Sequence, residues 1–107
     1  MIPTSVNAIG YAAFDGCALL NAITIPGSVT AIGRKAFNNC PALTDVVCLI
    51  PDPTLVATSR DAFLLPSGQY SDRTLHIPSS SLSTYQSLAP WSEQFGIIVE
   101  NASSTRN

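Results

Sequence analysis

The hydrophobic positions of the chain recur at a constant offset of 23 residues. Residues 2–24 align with residues 25–47 without a gap, and 11 of the 23 aligned positions are identical. The shared pattern is Ile-Pro-x-Ser-Val-x-Ala-Ile-Gly, continued after two residues by Ala-Phe-x-x-Cys. Periods of about 20 to 50 residues are typical of solenoids and arrays, in which no single unit buries its own apolar face.

Each copy begins with a stretch of strand periodicity. Ile23 and Ile25 alternate with Ala22 and Thr24, and residues 45–48 repeat this alternation. Such a pattern predicts a strand with one side in the core and the other side facing out. A proline ends the first of these strands because it has no amide hydrogen to donate to a neighbour.

A shorter alternation and a turn complete the unit. Val, Ala and Ile at 29–32, like those at 6–9, predict a second strand, and Gly33 permits a sharp change of direction. Residues 34–40 contain no β-branched side chain and space their apolar positions as a helix does, which predicts a short helical segment. The sequence therefore predicts an α/β solenoid of short parallel strands and short helical turns.

Stacking of the units places equivalent side chains over one another. At the strand spacing of about 4.8 Å, Phe14 lies over Phe37, and the Ala-Phe pair recurs once more at Phe63. We therefore predict that these three rings form a buried column in the core of the solenoid.

The repeated pattern resembles the BspA-type leucine-rich repeat, which is found in surface and secreted proteins of Bacteroides and related bacteria. The resemblance is close over residues 2–47 and rests on the hydrophobic, Gly, Ala-Phe and Cys positions, which all fall in register. It implies a leucine-rich-repeat solenoid that serves as an adhesion or recognition module. It also implies protein or glycan ligands on host or neighbouring cells and an extracellular or cell-surface location.

The chain divides into four predicted segments. Two repeats and the following strand occupy residues 1–50, and a degenerate last repeat with a loop insertion occupies residues 51–78. A C-terminal capping segment occupies residues 79–100, and a polar tail occupies residues 101–107. Within the capping segment, serines followed by apolar residues at three-residue intervals predict a helix over 80–88 that covers the last repeat. The alternative is an exposed aromatic strip that binds a ligand.

The N-terminal end carries no comparable cover in the sequence. The pattern begins at Ile2, at a position where a predicted strand is already ending, and no signal peptide precedes it. We therefore expect the chain to continue a longer array of repeats. An uncovered strand edge can pair with another chain, so self-association through this edge is a further expectation.

Composition excludes several classes of function. Charged residues make up only 11% of the chain, its net charge is −2, and its five basic residues are scattered, which argues against nucleic-acid binding. No apolar stretch reaches the roughly 18 residues of a membrane helix, so we expect no membrane insertion.

The residues of catalytic and metal sites do not cluster in the sequence. His76 is the single histidine, and there is no Gly-x-Ser-x-Gly, P-loop or Gly-rich dinucleotide motif. The three cysteines lack Cys-x-x-Cys spacing and are predicted to be free thiols. A pair of Cys48 with His76 would need both residues on one side of the sheet, whereas the alternation places them on opposite sides. We expect no catalysis, no cofactor and no metal.

The remaining candidate site is the outward face of the predicted sheet. Solenoids present rows of outward residues as extended binding surfaces. The candidate binding residues are Ala22, Thr24, Asp45, Val47, Thr74 and His76. They are small and mixed, without the Trp, Tyr and Arg that dominate binding hot spots. A purely structural spacer that carries another domain is therefore the alternative function.

Overall fold

The structure is a computed structural model that describes residues 5–102. The chain winds through about four turns of a parallel β-solenoid. The strands are β1 (Ala8–Ile9), β2 (Ala22–Ile25), β3 (Ala31–Ile32), β4 (Asp45–Cys48), β5 (Ala57–Thr58), β6 (Thr74–Pro78) and β7 (Ile97–Ala102). A three-stranded sheet has the order β1-β3-β5, and a four-stranded sheet has the order β2-β4-β6-β7. A 3-10 helix spans Pro53–Leu55, and one α-helix, α1, spans Leu82–Gln86.

Four coils make up the described chain, and each contributes one strand to the four-stranded sheet. The first coil comprises residues 5–25, the second residues 26–48, the third residues 49–77 and the fourth residues 78–102. In the first three coils a strand of the three-stranded sheet precedes that strand, whereas the fourth coil has α1 instead.

The register of the strands follows the sequence repeat. Ala22 pairs with Asp45 and Thr24 with Val47, each at the predicted offset. Thr58 pairs with Ile32, so the insertion in the third coil leaves the strand register intact. The strand predictions for the two sheets are confirmed.

The helical segment predicted at residues 34–40 is wrong, because these residues form turns. Phe37 N and Asn39 N donate to Ala62 O and Leu64 O of the next coil at 2.7 and 2.8 Å, and the amides of Ala36 and Asn38 donate only three residues back, to Gly33 O and Lys35 O. Lys35 and Asn39 also have φ angles of 57° and 54°, which no α-helix accommodates. The α/β assignment is therefore not confirmed, and the fold is a parallel β-solenoid with few helices.

The column of phenylalanines lies in the core as predicted. The ring centroids of Phe14 and Phe37 are 4.9 Å apart, and those of Phe37 and Phe63 are 5.1 Å apart, with the planes nearly parallel. Phe37 and Phe63 are fully buried, whereas Phe14 is only half-buried. The phenylalanine column is therefore fully buried in the second and third coils and only partly buried in the first.

The C-terminal segment covers the third coil, but not as a helical cap. Trp91 packs on the ring of Phe63 with centroids 5.2 Å apart, and it is fully buried. The predicted helix over 80–88 is reduced to the five residues of α1. The helix begins late because Ser80, with a φ angle of 72°, is not helical, and Ser81 Oγ donates to Pro51 O instead of capping the helix.

After α1 the chain passes through turns and enters β7, which pairs in parallel with β6. The segment thus adds a fourth strand to the sheet. Residues 103–107 of the predicted tail and the start of the repeat pattern at Ile2 lie outside the described residues. Within residues 5–102, no helix combines the length and the apolar character needed to cross a membrane.

Candidate functional site

The candidate site is the outward face of the four-stranded sheet, here called the sheet face. Strand alternation turns Ile23, Val46 and Leu75 into the core, and the residues on either side of each therefore face out. The pairing aligns them in two rows across the strands. The first row is Ala22, Asp45, Thr74 and Ile97, and the second is Thr24, Val47, His76 and Val99.

All six residues predicted for this face lie on it. Ala22, Thr24 and Asp45 are exposed, whereas Val47, Thr74 and His76, on the two inner strands of the sheet, are half-buried. The predicted geometry of the face is therefore present, whether or not a ligand binds there.

The fourth strand contributes three residues that sequence reasoning missed, namely Ile97, Val99 and Asn101. The available signal was the β-branched run of residues 97–99, which is typical of a strand. Ile97 lies 23 residues after its partner Thr74, but the fourth coil lacks the Ala-Phe-x-x-Cys of the repeat, so this offset was not recognised from the sequence.

A polar cluster joins three strands in the middle of the sheet face. The ring of His76 on β6 lies between Asp45 on β4 and Asn101 on β7. Its Nε2 is 3.0 Å from Asp45 Oδ1, and its Nδ1 is 2.7 Å from Asn101 Oδ1. The side chain of His76 is 22% exposed and that of Asp45 is 52% exposed. The cluster is thus fixed in position yet accessible to a ligand.

Hydrogen bonds stabilise the ionised form of Asp45. Contact with His76, and then the hydroxyl of Thr44 at 3.2 Å from Oδ2, hold the pKa of Asp45 below its usual range. Each of these groups favours the carboxylate over the neutral acid. Asp45 therefore presents a carboxylate at neutral pH, with room on its exposed side for a donor from a ligand.

Cys48 and His76 do not form a catalytic pair. Cys48 is fully buried on the inward side of the sheet, where its Sγ lies 3.3 Å from Tyr85 Oη. Burial raises the pKa of Cys48 to about 11, so its thiol stays protonated at neutral pH. Within residues 5–102, no group of three or more His, Cys, Asp and Glu side chains is placed to hold a metal ion.

A groove of about 490 Å³ on another side of the molecule carries opposite charges. Arg60 Nη2 lies 2.7 Å from Glu93 Oε2, and Arg34 Nε lies 3.6 Å from Asp61 Oδ2. Since each arginine already faces a carboxylate, the groove offers no concentrated charge to an ionic ligand.

Comparison with known proteins identifies the repeat. A family model described as BspA type Leucine rich repeat region (6 copies) matches residues 1–67, which is more than half of the chain. No curated protein and no solved structure matched the chain.

Proposed function

Since this chain belongs to the BspA-type leucine-rich repeat family, we propose that it is a non-catalytic interaction or adhesion module of a bacterial cell-surface or secreted protein. Its ligand is a protein or a glycan on a host or neighbouring cell, and the sheet face is the surface that binds it. The protein acts outside the cell, in keeping with the family and with a composition of only 11% charged residues.

The observation that carries the proposal is the ordered arrangement of the sheet face. Backbone pairing fixes the two rows of side chains in relative position, so a ligand meets a surface that needs little reorganisation. Pre-organised surfaces bind with a smaller entropic cost than mobile ones. An extended face of this kind fits a partner that spans several strands.

The chemistry of the face indicates how such a ligand is held. The carboxylate of Asp45 and the amide of Asn101 supply polar contacts near the centre, and Thr24 and Thr74 add hydroxyl groups. Ile97 is 51% exposed and provides an apolar contact beside them. A mixture of fixed polar groups and small apolar patches suits a protein loop or a sugar face.

The proposal is tested by binding measurements on the full chain. The chain is immobilised and a panel of extracellular-matrix proteins and glycans is passed over it, with affinities read by surface plasmon resonance. Asp45→Ala combined with His76→Ala is expected to weaken any specific binding by about tenfold or more, because hydrogen bonds to charged groups contribute about 1.5–3 kcal/mol.

The control is Ser83→Ala, an exposed position in α1 away from the sheet face. It is expected to leave binding unchanged. A ligand that binds the double variant as tightly as the natural chain would place the binding surface elsewhere.

A structural spacer is the second candidate function. The observation that favours it is the absence of any aromatic or arginine side chain from the two rows of the sheet face across residues 22–99. Those residue types dominate binding hot spots. Failure of every protein and glycan in the panel to bind would favour the spacer over the module.

A further inference from the structure

The polar cluster of the sheet face holds a histidine ring between two oxygen atoms. His76 has Asp45 Oδ1 at 3.0 Å from its Nε2 and Asn101 Oδ1 at 2.7 Å from its Nδ1. A carboxylate accepts hydrogen bonds and donates none, so Nε2 carries a proton whether the ring is neutral or charged. Asp45 is ionised at neutral pH, because His76 and Thr44 hold its pKa below the usual range. Asp45 is therefore a positioning residue that fixes the tautomer of His76.

The tautomer decides which end of the Asn101 amide contacts the ring. With its proton on Nε2, the neutral ring has no proton on Nδ1, and this nitrogen only accepts a hydrogen bond. The NH2 group of Asn101 then donates to Nδ1, and the carbonyl oxygen of its amide faces away from the ring. In the charged ring Nδ1 donates instead, and its acceptor is Asn101 Oδ1, which is the contact in the structure. The two arrangements differ by a half-turn of one side-chain amide.

The surroundings of Asn101 permit this half-turn. The residue is exposed, and within residues 5–102 its Nδ2 has no hydrogen-bond partner that would hold the amide in one orientation. The oxygen and nitrogen of an amide also have nearly the same size, so their exchange leaves the packing unchanged. The group that turns away from His76 is the one that a ligand on the sheet face meets.

Among the described residues Asp45 is the charged group that faces the ring of His76. Glu100 precedes Asn101 on β7 but turns toward α1, where its Oε2 accepts from Leu82 N at 3.1 Å. The other side chains beside the ring on β4, β6 and β7 do not titrate, and they are Val47, Thr74, Pro78 and Val99. The charge of the cluster is therefore −1 with a neutral ring and zero with a charged one.

We propose that the proton on His76 switches the sheet face between two binding states. With the ring neutral, the face presents the carboxylate of Asp45 and the carbonyl oxygen of Asn101, and it binds a cationic hydrogen-bond donor of the ligand, an ammonium or guanidinium group. Uptake of one proton removes the net charge and turns the NH2 group of Asn101 outward, so the cation is released. Since histidine ordinarily changes charge between about pH 5 and 8, mild acid is the releasing condition. This inference rests on the proposed function, because it names what the sheet face recognises and what reverses binding.

Nuclear magnetic resonance of the full chain without ligand tests the switch itself. His76 is the single histidine, so the ring nitrogens of the 15N-labelled chain give one pair of signals. At about pH 7.5 we expect a protonated Nε2 and a bare Nδ1. The NH2 signals of Asn101 are assigned by their absence in Asn101→Ala. We expect them to show a hydrogen bond to the neutral ring that is lost on titration to about pH 4.5.

Two aspartate substitutions form a matched pair for this measurement. Asp45 and Asp72 are both exposed, but only Asp45 contacts His76. Asp45→Asn is expected to abolish the preference for the Nε2 tautomer, because an amide either donates to a ring nitrogen or accepts from it. Asp72→Asn removes the same charge outside the cluster and is expected to leave the ring signals unchanged.

Binding at two pH values tests the recognition of a cation. The panel of matrix proteins and glycans is passed over the immobilised chain at about pH 7.5 and about pH 5. A component that binds through the sheet face is expected to bind about tenfold more weakly in acid, because hydrogen bonds to a charged group are worth at least that factor. His76→Gln keeps a donor for Asp45 but does not titrate, and it is expected to remove this difference.

Different results overturn the inference and the proposed function. A protonated Nδ1 at about pH 7.5, or an Asn101 amide that does not respond as His76 titrates, would overturn the switch whatever the panel shows. Binding through the sheet face with equal affinity at both pH values would overturn the release of a cation by acid. Failure of every panel member to bind, with the switch present in the spectra, would contradict the proposed function alone.

Discussion

At the C-terminal end of the solenoid the amide of Phe63 donates to the side chain of Gln94, whereas at the N-terminal end the carbonyl of Ala13 has no partner within residues 5–102. The corner groups of the third and first coils are therefore paired differently within the described residues. Gln94 also donates through Nε2 to Arg60 O at 2.7 Å, so its side chain supplies the acceptor that a following coil would offer to Phe63 N and is held in place by a second hydrogen bond. A solenoid can thus be closed by single side chains that imitate the backbone.

The buried side chain of Arg73 pairs backbone carbonyls at the C-terminal end of the solenoid. Its guanidinium is buried and donates to Leu43 O, Phe63 O and Cys40 O at 3.0, 2.6 and 3.1 Å. Burial lowers the pKa of Arg73 from a very high ordinary value, and the group still carries its charge at neutral pH. No charged group has an equivalent role among the described residues of the first coil. The difference between the ends therefore extends from the surface into the core.

The largest expected effect comes from the same substitution at the two ends of the phenylalanine column. Phe63→Ala removes a fully buried ring between Phe37 and Trp91 and should lower the free energy of unfolding by about 3–5 kcal/mol. Phe14→Ala removes a half-buried ring and should cost roughly half as much. Urea denaturation of both variants measures the difference, and equal losses would show that the first coil is covered after all.

Two arginines at the closed end give the next contrast. Arg73→Met leaves the carbonyls of Leu43 and Phe63 without a donor, takes one of two donors from Cys40 O, and should cost about 3 kcal/mol of unfolding free energy. Arg60→Met removes an exposed ion pair with Glu93 and should cost less than about 1 kcal/mol. Thermal and urea unfolding measure both losses. Equal losses of stability in the two variants would show that Arg73 does not hold the third coil against the second.

Two equivalent glycines give a third contrast between the coils. A Cβ added at Gly33 would lie 2.8 Å from Tyr11 N, whereas one added at Gly10 would meet nothing within 4 Å. Gly33→Ala should therefore cost about 1–3 kcal/mol, and Gly10→Ala should be neutral or slightly stabilising. A destabilised Gly10→Ala variant in urea titration would contradict the open space around Gly10.

The smallest effect concerns pH and the sheet face. The pKa of Asp45 is held down by His76 and Thr44, so its contribution to stability is present above the unfolded value of about 3.9 and is lost as pH falls through the lower folded value. The side chain is 52% exposed, which keeps the effect small. Unfolding midpoints of the natural chain and Asp45→Asn, measured across this acid range, should converge as pH falls. Parallel curves would show that the ionisation of Asp45 does not contribute to stability.

Much of this fold follows from the sequence because the repeat fixes register. Once Ile23 is placed inward, the 23-residue offset places Val46 inward, and Asp45 and His76 then share the outward face. Alternation and period together were sufficient to predict the strands of the first two coils, whereas Thr74 and His76, 29 residues after Asp45 and Val47, follow from alternation alone.

The remaining features depend on contacts that local patterns do not encode. Residues 34–40 have helical spacing, but hydrogen bonds to the next coil hold them in turns. Asn101 and Gln94 lie in a coil that lacks the Ala-Phe-x-x-Cys of the repeat, so the partners of their side chains had no sequence signal. Capping of this kind depends on single residues whose significance appears only when the coils are stacked.

Native-state amide hydrogen exchange tests the contrast between the two ends most directly. Gly33 N donates to Ile9 O at 2.8 Å and Phe63 N donates to Gln94, whereas Gly10, the equivalent of Gly33, has no backbone acceptor within residues 5–102. We predict strong protection of the Gly33 and Phe63 amides and nearly unprotected exchange at Gly10. Protection of the Gly10 amide equal to that of Gly33, or free exchange at the Phe63 amide, would contradict an exposed first coil and a covered third coil.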